Sequence, residues 1–516
     1  MTLTVAKTSD LDKVEPEQLD TDTKFYRLKT GAGGVYAGFR IDKLKFIEYL
    51  YAMGFRRLDV DKAHIFIRVY NHRIVKEVTQ TVIVDELIET LKAEIGDKVL
   101  GETSGGNIYI DDLISSIFNS LASLFNVELL YRLKPREAIE FSIDEKDHKY
   151  IYFKNGFIDI TKDRAQLREY SELTKFIWES ELLKRDYKEP KAGTPSYFEK
   201  FINLICNNDT KRTKSLRTII GYNLHSFSNT KLRATVLTDS RISDDNEPNG
   251  RTGKTLFCKG LGQILSPDPD NNAISTFCEI NGKDFDPRNK NKYQQASIDT
   301  RIIVLNDVRR NFDIEVLFND ITEGVTVERK NQHPFRIRPK ILLTTNKTIR
   351  IEGDSSKDRF IEFEFGEYFH KGHSPEQEFK HWFFRDWDSD EWNRFYDFMV
   401  RCVKEYLYAG LVEPQQINLN TRKLREGTSL EFVEWIESHS IQRDIEIAAA
   451  GNNGINKHTW FDQFLMDYPD FKNSKLTRAK FSRWVSYWCK YSSSGYSVKD
   501  KVSDEGREYI FYKAKA

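Results

Sequence analysis

The clearest chemical signal in the sequence is the segment NGRTGKT, residues 249–255, between a strand pattern and a helical pattern. Glycines in such a loop let backbone N–H groups surround phosphates, and the following helix adds positive potential at its N-terminus. Lys254 is expected to reach the β- and γ-phosphates, and Thr255 to offer its hydroxyl to Mg²⁺. Pro248 replaces the first glycine of GxxxxGK[ST], which predicts a different path into the loop. The predicted nucleotide-binding residues are Asn249, Gly250, Arg251, Thr252, Gly253, Lys254 and Thr255.

A second signal is the apolar run Arg301–Leu305, which ends at Asn306 and Asp307. The carboxyl ends of parallel strands are where α/β proteins hold their ligands, so Asp307 is a candidate for the Mg²⁺ shell. Asn306 stands where many nucleotide hydrolases have a second carboxylate. An amide can orient water but cannot take its proton, so either the transition state needs little base or a carboxylate elsewhere serves.

Further along, the segments Val325–Glu328 and Pro334–Ile337 predict a hairpin whose tip is basic and rich in hydrogen-bonding groups. The strand pattern that follows ends at Asn346, an amide suited to sense a γ-phosphate. Arg359 precedes another strand pattern and is a candidate arginine finger. A solvated charged hairpin and a structural arginine are the plain alternatives. The candidate nucleic-acid contacts at the tip are Arg329, Lys330, Asn331 and Gln332.

These residues need a scaffold, and strand patterns that alternate with helical ones predict a parallel sheet covered on both sides. Polar stretches at Lys184–Ser196 and Glu413–Glu426 divide the chain into an N-terminal α+β domain (1–190), a central P-loop domain (196–415) and a C-terminal domain (425–516). In the first domain, Asn155-Gly156 between two apolar runs predicts a hairpin. Asp59 and Asp61 form an acidic pair with no accompanying site in the first third.

The last domain shows three helical patterns followed by two strand-like runs, an order that suggests a winged helix. In the segment Leu476–Tyr491, apolar residues share one helix face. This pattern fits a recognition helix, and an amphipathic helix that docks on a protein is the alternative. The candidate DNA contacts on this helix are Arg478, Lys480 and Arg483.

Composition sets the limits for this interpretation. The chain has 516 residues, with 79 basic and 79 acidic side chains, so any binding of nucleic acid has to rest on local basic surfaces. A hydrophobic fraction of 39% argues against a disordered chain. No stretch is long and apolar enough for a membrane helix, and the start lacks a signal-peptide core, so a cytoplasmic protein is expected. The five cysteines form no CxxC pair.

Taken together, the order of these motifs resembles the superfamily 3 helicases, the AAA+ branch that includes the papillomavirus replicative helicase and the primase-helicases of poxviruses and phages. The segments VERKNQHPFRIRPKILLTTN and SSKDRFIEFEF look like the hairpin-to-sensor and finger regions of that family. The resemblance covers about residues 200–410. It is weaker in YIYFKNGFIDIT and IIGYNLH, which lie on the N-terminal side.

The resemblance implies an ATP- and Mg²⁺-dependent DNA helicase or replication initiator of a phage, virus or mobile element. It implies a hexameric ring on single-stranded or forked DNA, with Arg359 acting on the ATP of a neighbouring copy and a primase or polymerase as a further partner. The catalytic residues would be Lys254, Asn306, Asp307, Asn346 and Arg359, with Thr255 and Asp307 at the metal. Two alternatives are a P-loop motor for packaging or defence and an initiator that uses ATP only to assemble on an origin.

Overall fold

The structure, a computed structural model, describes residues 24–61, 63–71, 73–191, 193–227, 232–241, 250–265, 276–309, 312–330, 332–346, 349, 351, 354–474, 476–503 and 506–513. The side chains of Glu426 and Asn473 are also outside this description. Three residues of the motifs above, Pro248, Asn249 and Asn331, lie outside the described residues.

The first region combines helices with two four-stranded sheets, whose strand orders are β11-β5-β4-β3 and β10-β9-β8-β12. Its helices pack around a core that contains Phe46, Leu50, Leu87 and Ile117. The elements are β1 (Tyr26–Thr30), β2 (Tyr36–Ile41), α1 (Lys43–Ala52), β3 (Phe55–Val60), β4 (Ala63–Tyr70), β5 (Ile74–Glu77), α2 (Gln80–Ile95), β6 (Gly101–Thr103), β7 (Gly106–Ile108), α3 (Ile110–Asn119), α4 (Leu121–Leu124), α5 (Val127–Leu130), β8 (Lys149–Phe153), β9 (Gly156–Ile160), β10 (Ala165–Arg168), β11 (Ile177–Trp178) and β12 (Leu182–Leu183).

The hairpin predicted from Asn155-Gly156 is present, because β8 and β9 pair antiparallel on either side of these two residues. Gly156 has a φ of +146°, and a Cβ there would lie 2.4 Å from the carbonyl oxygen of Arg168. The acidic pair on β3 is used within the chain: Asp59 contacts Arg57 at 2.8 Å, and Asp61 accepts a hydrogen bond from the backbone of Arg336.

The central region is built on a five-stranded sheet in the order β14-β15-β18-β13-β19, in which every neighbouring pair is parallel. This confirms the predicted mixed α/β class with a parallel sheet. The elements are α6 (Tyr197–Ile205), α7 (Thr210–Leu224), β13 (Ala234–Asp239), α8 (Lys254–Leu265), β14 (Phe277–Asn281), β15 (Ile302–Asn306), α9 (Phe318–Glu323), β16 (Val325–Val327), β17 (Phe335–Ile337), β18 (Lys340–Thr344), α10 (Asp354–Arg359), β19 (Phe360–Phe365), α11 (Pro375–Phe379) and α12 (Ser389–Ala409).

Both faces of this sheet are covered, as the continuous apolar strand runs require. On one face, Val304 and Leu342 belong to a core with α6, α7, α8 and α12, while on the other Ile303 and Leu343 pack with α9 and the β16–β17 hairpin. The alternation places Asn306 on the same face as Val304, toward the helix α8. Short 3-10 helices occur at Ala32–Gly34, Tyr170–Glu172, Glu179–Glu181, Ile314–Leu317 and Pro469–Asn473.

A lysine is buried at the amino end of the sheet. Lys340, the first residue of β18, is only 6% exposed, and its Nζ lies 4.0 Å from the centre of the Tyr222 ring. Burial lowers the pKa of Lys340 from 10.5 to about 7, against the opposing effect of Asp144. Between these two pH values the unfolded chain holds a proton that the folded chain lacks. The free energy of unfolding therefore rises with pH in this window.

Replacing Lys340 with methionine is expected to increase the free energy of unfolding near pH 7, because no charge then has to be buried. The slope that the wild type shows between about pH 7 and 10.5, at most about 1.4 kcal/mol per pH unit from this group, should disappear. Urea denaturation across this range measures both effects, and Lys290→Met, at an exposed lysine, is the control. An unchanged slope in Lys340→Met would contradict the assignment.

The last region contains more elements than the sequence predicts. Among the described residues after Ser429 there are four α-helices, where the sequence predicts three. A short strand, β20, also joins the terminal hairpin in the sheet order β20-β22-β21. The predicted order of helices and then a hairpin is present, and the winged-helix assignment stays a prediction. The elements are α13 (Leu419–Gly427), α14 (Leu430–Ile436), α15 (His439–Gly451), β20 (Gly454–Asn456), α16 (Lys457–Asp467), α17 (Arg478–Tyr491), β21 (Tyr496–Ser503) and β22 (Gly506–Lys513).

The polar stretch at 413–426 is not a loose joint in the structure, because it is bonded along the edge strand β19. The backbone N–H of Ile417 donates to Glu364 at 2.6 Å, and Lys423 contacts Glu362 at 3.0 Å. Arg422, in α13, is 5% exposed and donates to the backbone carbonyl of Asp239. The polar residues of this stretch therefore have a structural use: several of them pair with buried acidic residues or backbone groups of the sheet.

Candidate nucleotide-binding site

The predicted P-loop lies between a strand and a helix, as its chemistry requires. The strand β13 ends at Asp239, and α8 begins at Lys254. Gly253 has a φ of +103°, and a Cβ there would lie 2.6 Å from the Phe201 ring, so only glycine fits this position. Arg251 also has a positive φ, of +78°. These conformations turn the chain sharply into the N-terminus of α8.

Lys254 is buried at this turn and forms an ion pair with Asp239, the last residue of β13. The hydroxyl of Thr252 donates to the same carboxylate oxygen and lies 3.4 Å from the lysine Nζ. Burial lowers the pKa of Lys254, while the Asp239 charge opposes this effect. Asp239 thus supplies the negative charge that holds the lysine at the mouth of the loop.

Thr255 and Asp307 are the predicted metal ligands. Thr255 is exposed at the start of α8, and Asp307 follows β15 with a φ of +59°. The Asp307 carboxylate contacts the Nζ of Lys283 at 2.6 Å, so this position already accepts a cation. Mg²⁺ commonly binds through one or two carboxylates together with phosphates and water. This donor set therefore fits Mg²⁺ bound together with a nucleotide.

Asn306 belongs to a chain of hydrogen bonds that crosses three strands. The backbone N–H of Asp307 donates to the hydroxyl of Thr344 at 2.8 Å, and this hydroxyl donates to Oδ1 of Asn306 at 2.7 Å. The Nδ2 of Asn306 donates to Oε1 of Glu279, on β14, at 2.7 Å. Sequence reasoning missed Glu279. The signal was an acidic residue among the apolar residues of the run FCEI, residues 277–280, which is followed by Asn281 and Gly282.

Asn346 lies beside the P-loop. Its Nδ2 is 3.7 Å from the position that a Cβ on Gly250 would take. The strand that precedes Asn346, β18, runs between β13 and β15. Asn346 thus follows the strand that lies between β13 and β15, and its side chain is close to Gly250 of the P-loop.

Arg359 lies at the other end of the sheet. The register pairs Ala234 with Phe360 and Asp239 with Phe365, so Arg359 is at the amino end of β13 and Lys254 is beyond its carboxyl end. At about 3.3 Å per residue, the strand alone separates them by about 17 Å. Arg359 is therefore far from the P-loop of its own chain.

Contacts around Arg359 hold it at the rim of a cleft of about 950 Å³. Its Nη1 donates to the carbonyl oxygen of Ser355 at 3.0 Å, and its guanidinium lies 4.9 Å from the centre of the Phe318 ring. Arg233 donates to the carbonyl oxygens of Lys357 and Phe360, on either side of Arg359, at 3.1 and 2.5 Å. The backbone on either side of Arg359 is thus bonded to the residue that precedes β13.

The predicted basic hairpin is formed by β16 and β17, but its residues differ in exposure. Arg329 is partly buried: it donates to the carbonyl oxygen of Ala296 at 2.6 Å and lies 3.6 Å from Glu77. Lys330 and Gln332 are exposed. Arg329 is therefore used within the chain, which the sequence does not reveal, and Lys330 carries the accessible charge at the tip.

Helix α17 follows the predicted pattern. Phe481, Trp484, Val485 and Trp488 are buried, and the candidate DNA contacts Arg478, Lys480 and Arg483 lie on other faces of the helix. The Nζ of Lys480 lies 5.6 Å from the centre of the Trp484 ring. The helix thus presents basic groups outward, as both the recognition helix and the protein-docking helix require.

The described residues offer neither a ready metal cluster nor a membrane-spanning helix. They contain no group of three or more histidine, cysteine, aspartate or glutamate side chains arranged for a metal ion. None of the helices they form combines the length and the apolar character that crossing a membrane requires.

No family model matches the sequence, and no curated protein matches it. Among solved structures, the chain is similar to the A form apo structure of the NrS-1 C-terminal region (305–718), with a TM-score of 0.41 and 13% identity. An apo structure of the same region (305–718) gives a TM-score of 0.40 and 13% identity. Each match covers 91% of this chain and 99% of that chain. A likeness at this level carries no argument about activity.

Proposed function

We propose that the protein is an ATP-driven DNA helicase of the superfamily 3 type that works as a ring, with six copies as the family resemblance implies. The observation that carries the proposal is the meeting of three predicted residues at one edge of a parallel sheet. Lys254 begins the P-loop helix α8, and Asp307 follows β15. Asn346 follows β18, the strand between β13 and β15. This is the edge at which open α/β sheets bind ligands.

In this proposal the triphosphate lies over the start of α8. Backbone N–H groups from Gly250 to Gly253 and the Lys254 ammonium bind phosphate oxygens, so Lys254 exchanges the Asp239 carboxylate for a phosphate. Thr255 and Asp307 would hold Mg²⁺, which supplies neutralising charge at the β- and γ-phosphates. Asn346, beside Gly250, is placed to contact the γ-phosphate and to respond to its loss.

The position of Arg359 supports action between copies. A guanidinium at the amino end of β13 cannot reach a phosphate bound beyond its carboxyl end. In a ring, the same arginine can project into the site of the next copy and stabilise the charge of the transition state. The proposal thus needs at least two copies for each complete site.

The part of the proposal that concerns DNA rests on exposed basic groups. Lys330 and Gln332 lie at the tip of the β16–β17 hairpin, remote in sequence from the P-loop. Loss of the γ-phosphate would change the contacts of Asn346 and Arg359, and movement of the attached hairpin would pull a backbone phosphate held by Lys330. Arg478, Lys480 and Arg483 on α17 offer a second surface for DNA.

Replacing Lys330 with alanine is expected to stop unwinding of forked DNA, because the tip loses its accessible charge. Single-strand binding should weaken similarly across sequences, and the slope of log affinity against log salt should fall by about 0.7 for one lost phosphate contact. Basal ATP hydrolysis should persist, because the nucleotide-binding residues are unchanged. Strand displacement, salt titration and ATPase assays measure these three effects.

The matched control is Lys290→Ala, which removes an exposed lysine outside the hairpin. Unwinding at the wild-type rate by folded, ring-forming Lys330→Ala protein, with an unchanged salt slope, would show that the hairpin is only a solvated surface feature. ATP hydrolysis without unwinding by the wild type would favour a packaging or defence motor. Assembly on DNA without either would favour an origin-binding initiator.

A further inference from the structure

The proposed ATPase lacks an obvious proton acceptor. Asn306 has an amide where many nucleotide hydrolases have a carboxylate, and the Asp307 carboxylate is assigned to Mg²⁺. Water that attacks a phosphorus atom has to lose a proton during or after the reaction, and a positioned carboxylate can accept it. Glu279, one strand away, is a carboxylate that the sequence analysis did not assign to any task.

The hydrogen bonds around Glu279 determine which atom of Asn306 faces it. The backbone N–H of Asp307 can only donate, so the Thr344 hydroxyl that accepts it uses its own proton to bond Oδ1 of Asn306. The Nδ2 of Asn306 must therefore face Glu279 and donate to it. This bond orients the Glu279 carboxyl group through its Oε1 atom.

The location of Glu279 is also suitable. Strands β14 and β15 are parallel, with Glu279 opposite Val304 and Asn281 opposite Asn306. Because side chains alternate along a strand, Glu279 shares the face of Val304 and Asn306, toward α8. Glu279 is also close to Cys258, which lies one helical turn after Lys254 on α8. Burial raises the pKa of the Cys258 thiol, and the nearby Glu279 charge raises it further.

Exposure distinguishes Glu279 from a buried structural partner. Its side chain is exposed on β14, in hydrogen-bond contact with Asn306 at the carboxyl end of β15, so a water molecule can reach it. Its oxygen Oε1 is fixed by Asn306, which sets the direction of the other oxygen. The carboxylate thus combines a fixed orientation with access to water.

We infer that Glu279 is the general base of the proposed ATP hydrolysis, oriented by Asn306. The inference rests on the proposed function. In the reaction, the water oxygen forms a bond to the γ-phosphorus, and the bond from phosphorus to the β,γ-bridging oxygen breaks, leaving its electron pair on ADP. The Glu279 carboxylate takes one proton from the water and afterwards releases it to solvent. Asn306 is a positioning residue in this scheme.

The central test is Glu279→Gln, which keeps the size of the side chain and a carbonyl oxygen that can accept from Asn306. Turnover is expected to fall about 10²-fold, at the lower end for general-base catalysis because phosphoryl transfer needs little base. The affinity for ATP, measured with a fluorescent ATP analogue, should stay unchanged, and so should ring formation. The matched control is Glu137→Gln, at an exposed glutamate in the first region.

A double variant, Glu279→Gln with Asn306→Asp, exchanges the two groups. The amide introduced on β14 can donate to the carboxylate introduced on β15, and the Thr344 hydroxyl can donate to that carboxylate as well, so every hydrogen bond of the chain is kept. Because the carboxylate returns to the site one strand away, part of the lost turnover should be recovered. If Glu279 only held the strands together, Glu279→Gln would already keep its turnover, because the new carbonyl oxygen still accepts from Asn306.

Three results would overturn the inference: wild-type turnover in Glu279→Gln, loss of ATP binding in that variant, or no recovery in a double variant that folds and binds ATP. Failure of the proposed function has a different signature. If the wild type does not hydrolyse ATP and Lys254→Ala behaves identically, the ATPase proposal itself fails. If the wild type hydrolyses ATP and Glu279→Gln equals it, only the assignment of Glu279 fails.

Discussion

Replacement of Lys254 by alanine is expected to abolish ATP turnover. The lysine would meet charge that develops on the phosphates, and removal of such a donor costs about 3 kcal/mol or more, a loss on the order of 10²-fold in rate. The structure adds a second effect. Asp239 loses its cationic partner, and an unpaired buried carboxylate destabilises a protein by several kcal/mol. Steady-state ATPase assays and thermal unfolding separate the two effects.

The control is Lys259→Ala, which removes an exposed lysine from the same helix and should change neither ATP turnover nor stability. A double variant, Asp239→Asn with Lys254→Ala, should recover stability, because no buried charge then remains unpaired, but should stay inactive. Turnover close to that of the wild type in either variant without Lys254 would refute the P-loop assignment.

Replacement of Arg359 by alanine is expected to leave ATP binding intact and to lower hydrolysis by about 10³-fold or more, as for other arginine fingers. The strand register places this side chain at the amino end of β13, so its effect has to arise in a neighbouring copy. Mixing Arg359→Ala with Lys254→Ala should therefore restore part of the activity. In a mixed ring, the intact P-loop of one copy meets the intact arginine of the other.

Native mass measurement shows whether mixed rings form, and Arg385→Ala, an exposed arginine elsewhere, is the control. Mixed rings with no recovered hydrolysis would mean that Arg359 has a structural task at the start of β19. Its bonds to the Ser355 carbonyl and its contact with the Phe318 ring are the interactions that would explain such a result.

Much of the scaffold could be predicted from the sequence because its signals are local. Strands buried on both faces give continuous apolar runs, and the prediction at Phe360–Phe365 matches β19. The Asn155-Gly156 turn is equally local. In the last region, the strand Gly454–Asn456 was missed because three residues that pair with β22 carry no periodic pattern of their own.

The site was less accessible to sequence reasoning, because its contacts join residues that are distant along the chain. Nothing near Asn306 indicates that Glu279 lies 2.7 Å away, because that contact depends on the order of the strands. Lys283 on Asp307 and Arg422 on the Asp239 carbonyl arise in the same way. For Arg329 the sequence suggested a side chain free to contact nucleic acid. In the structure its guanidinium instead contacts a backbone carbonyl and Glu77.

The bonded segment at 413–426 has a consequence for how the chain can be divided. The strand β19 forms one edge of the central sheet, and this segment covers it, as proteins commonly cover an exposed edge. A fragment that stopped after α12 would leave Glu364, which is completely buried, without the backbone donors of Ile417 and Asn418. A fragment of the P-loop region that keeps these bonds therefore has to extend at least through Lys423, beyond the change in composition at residue 413.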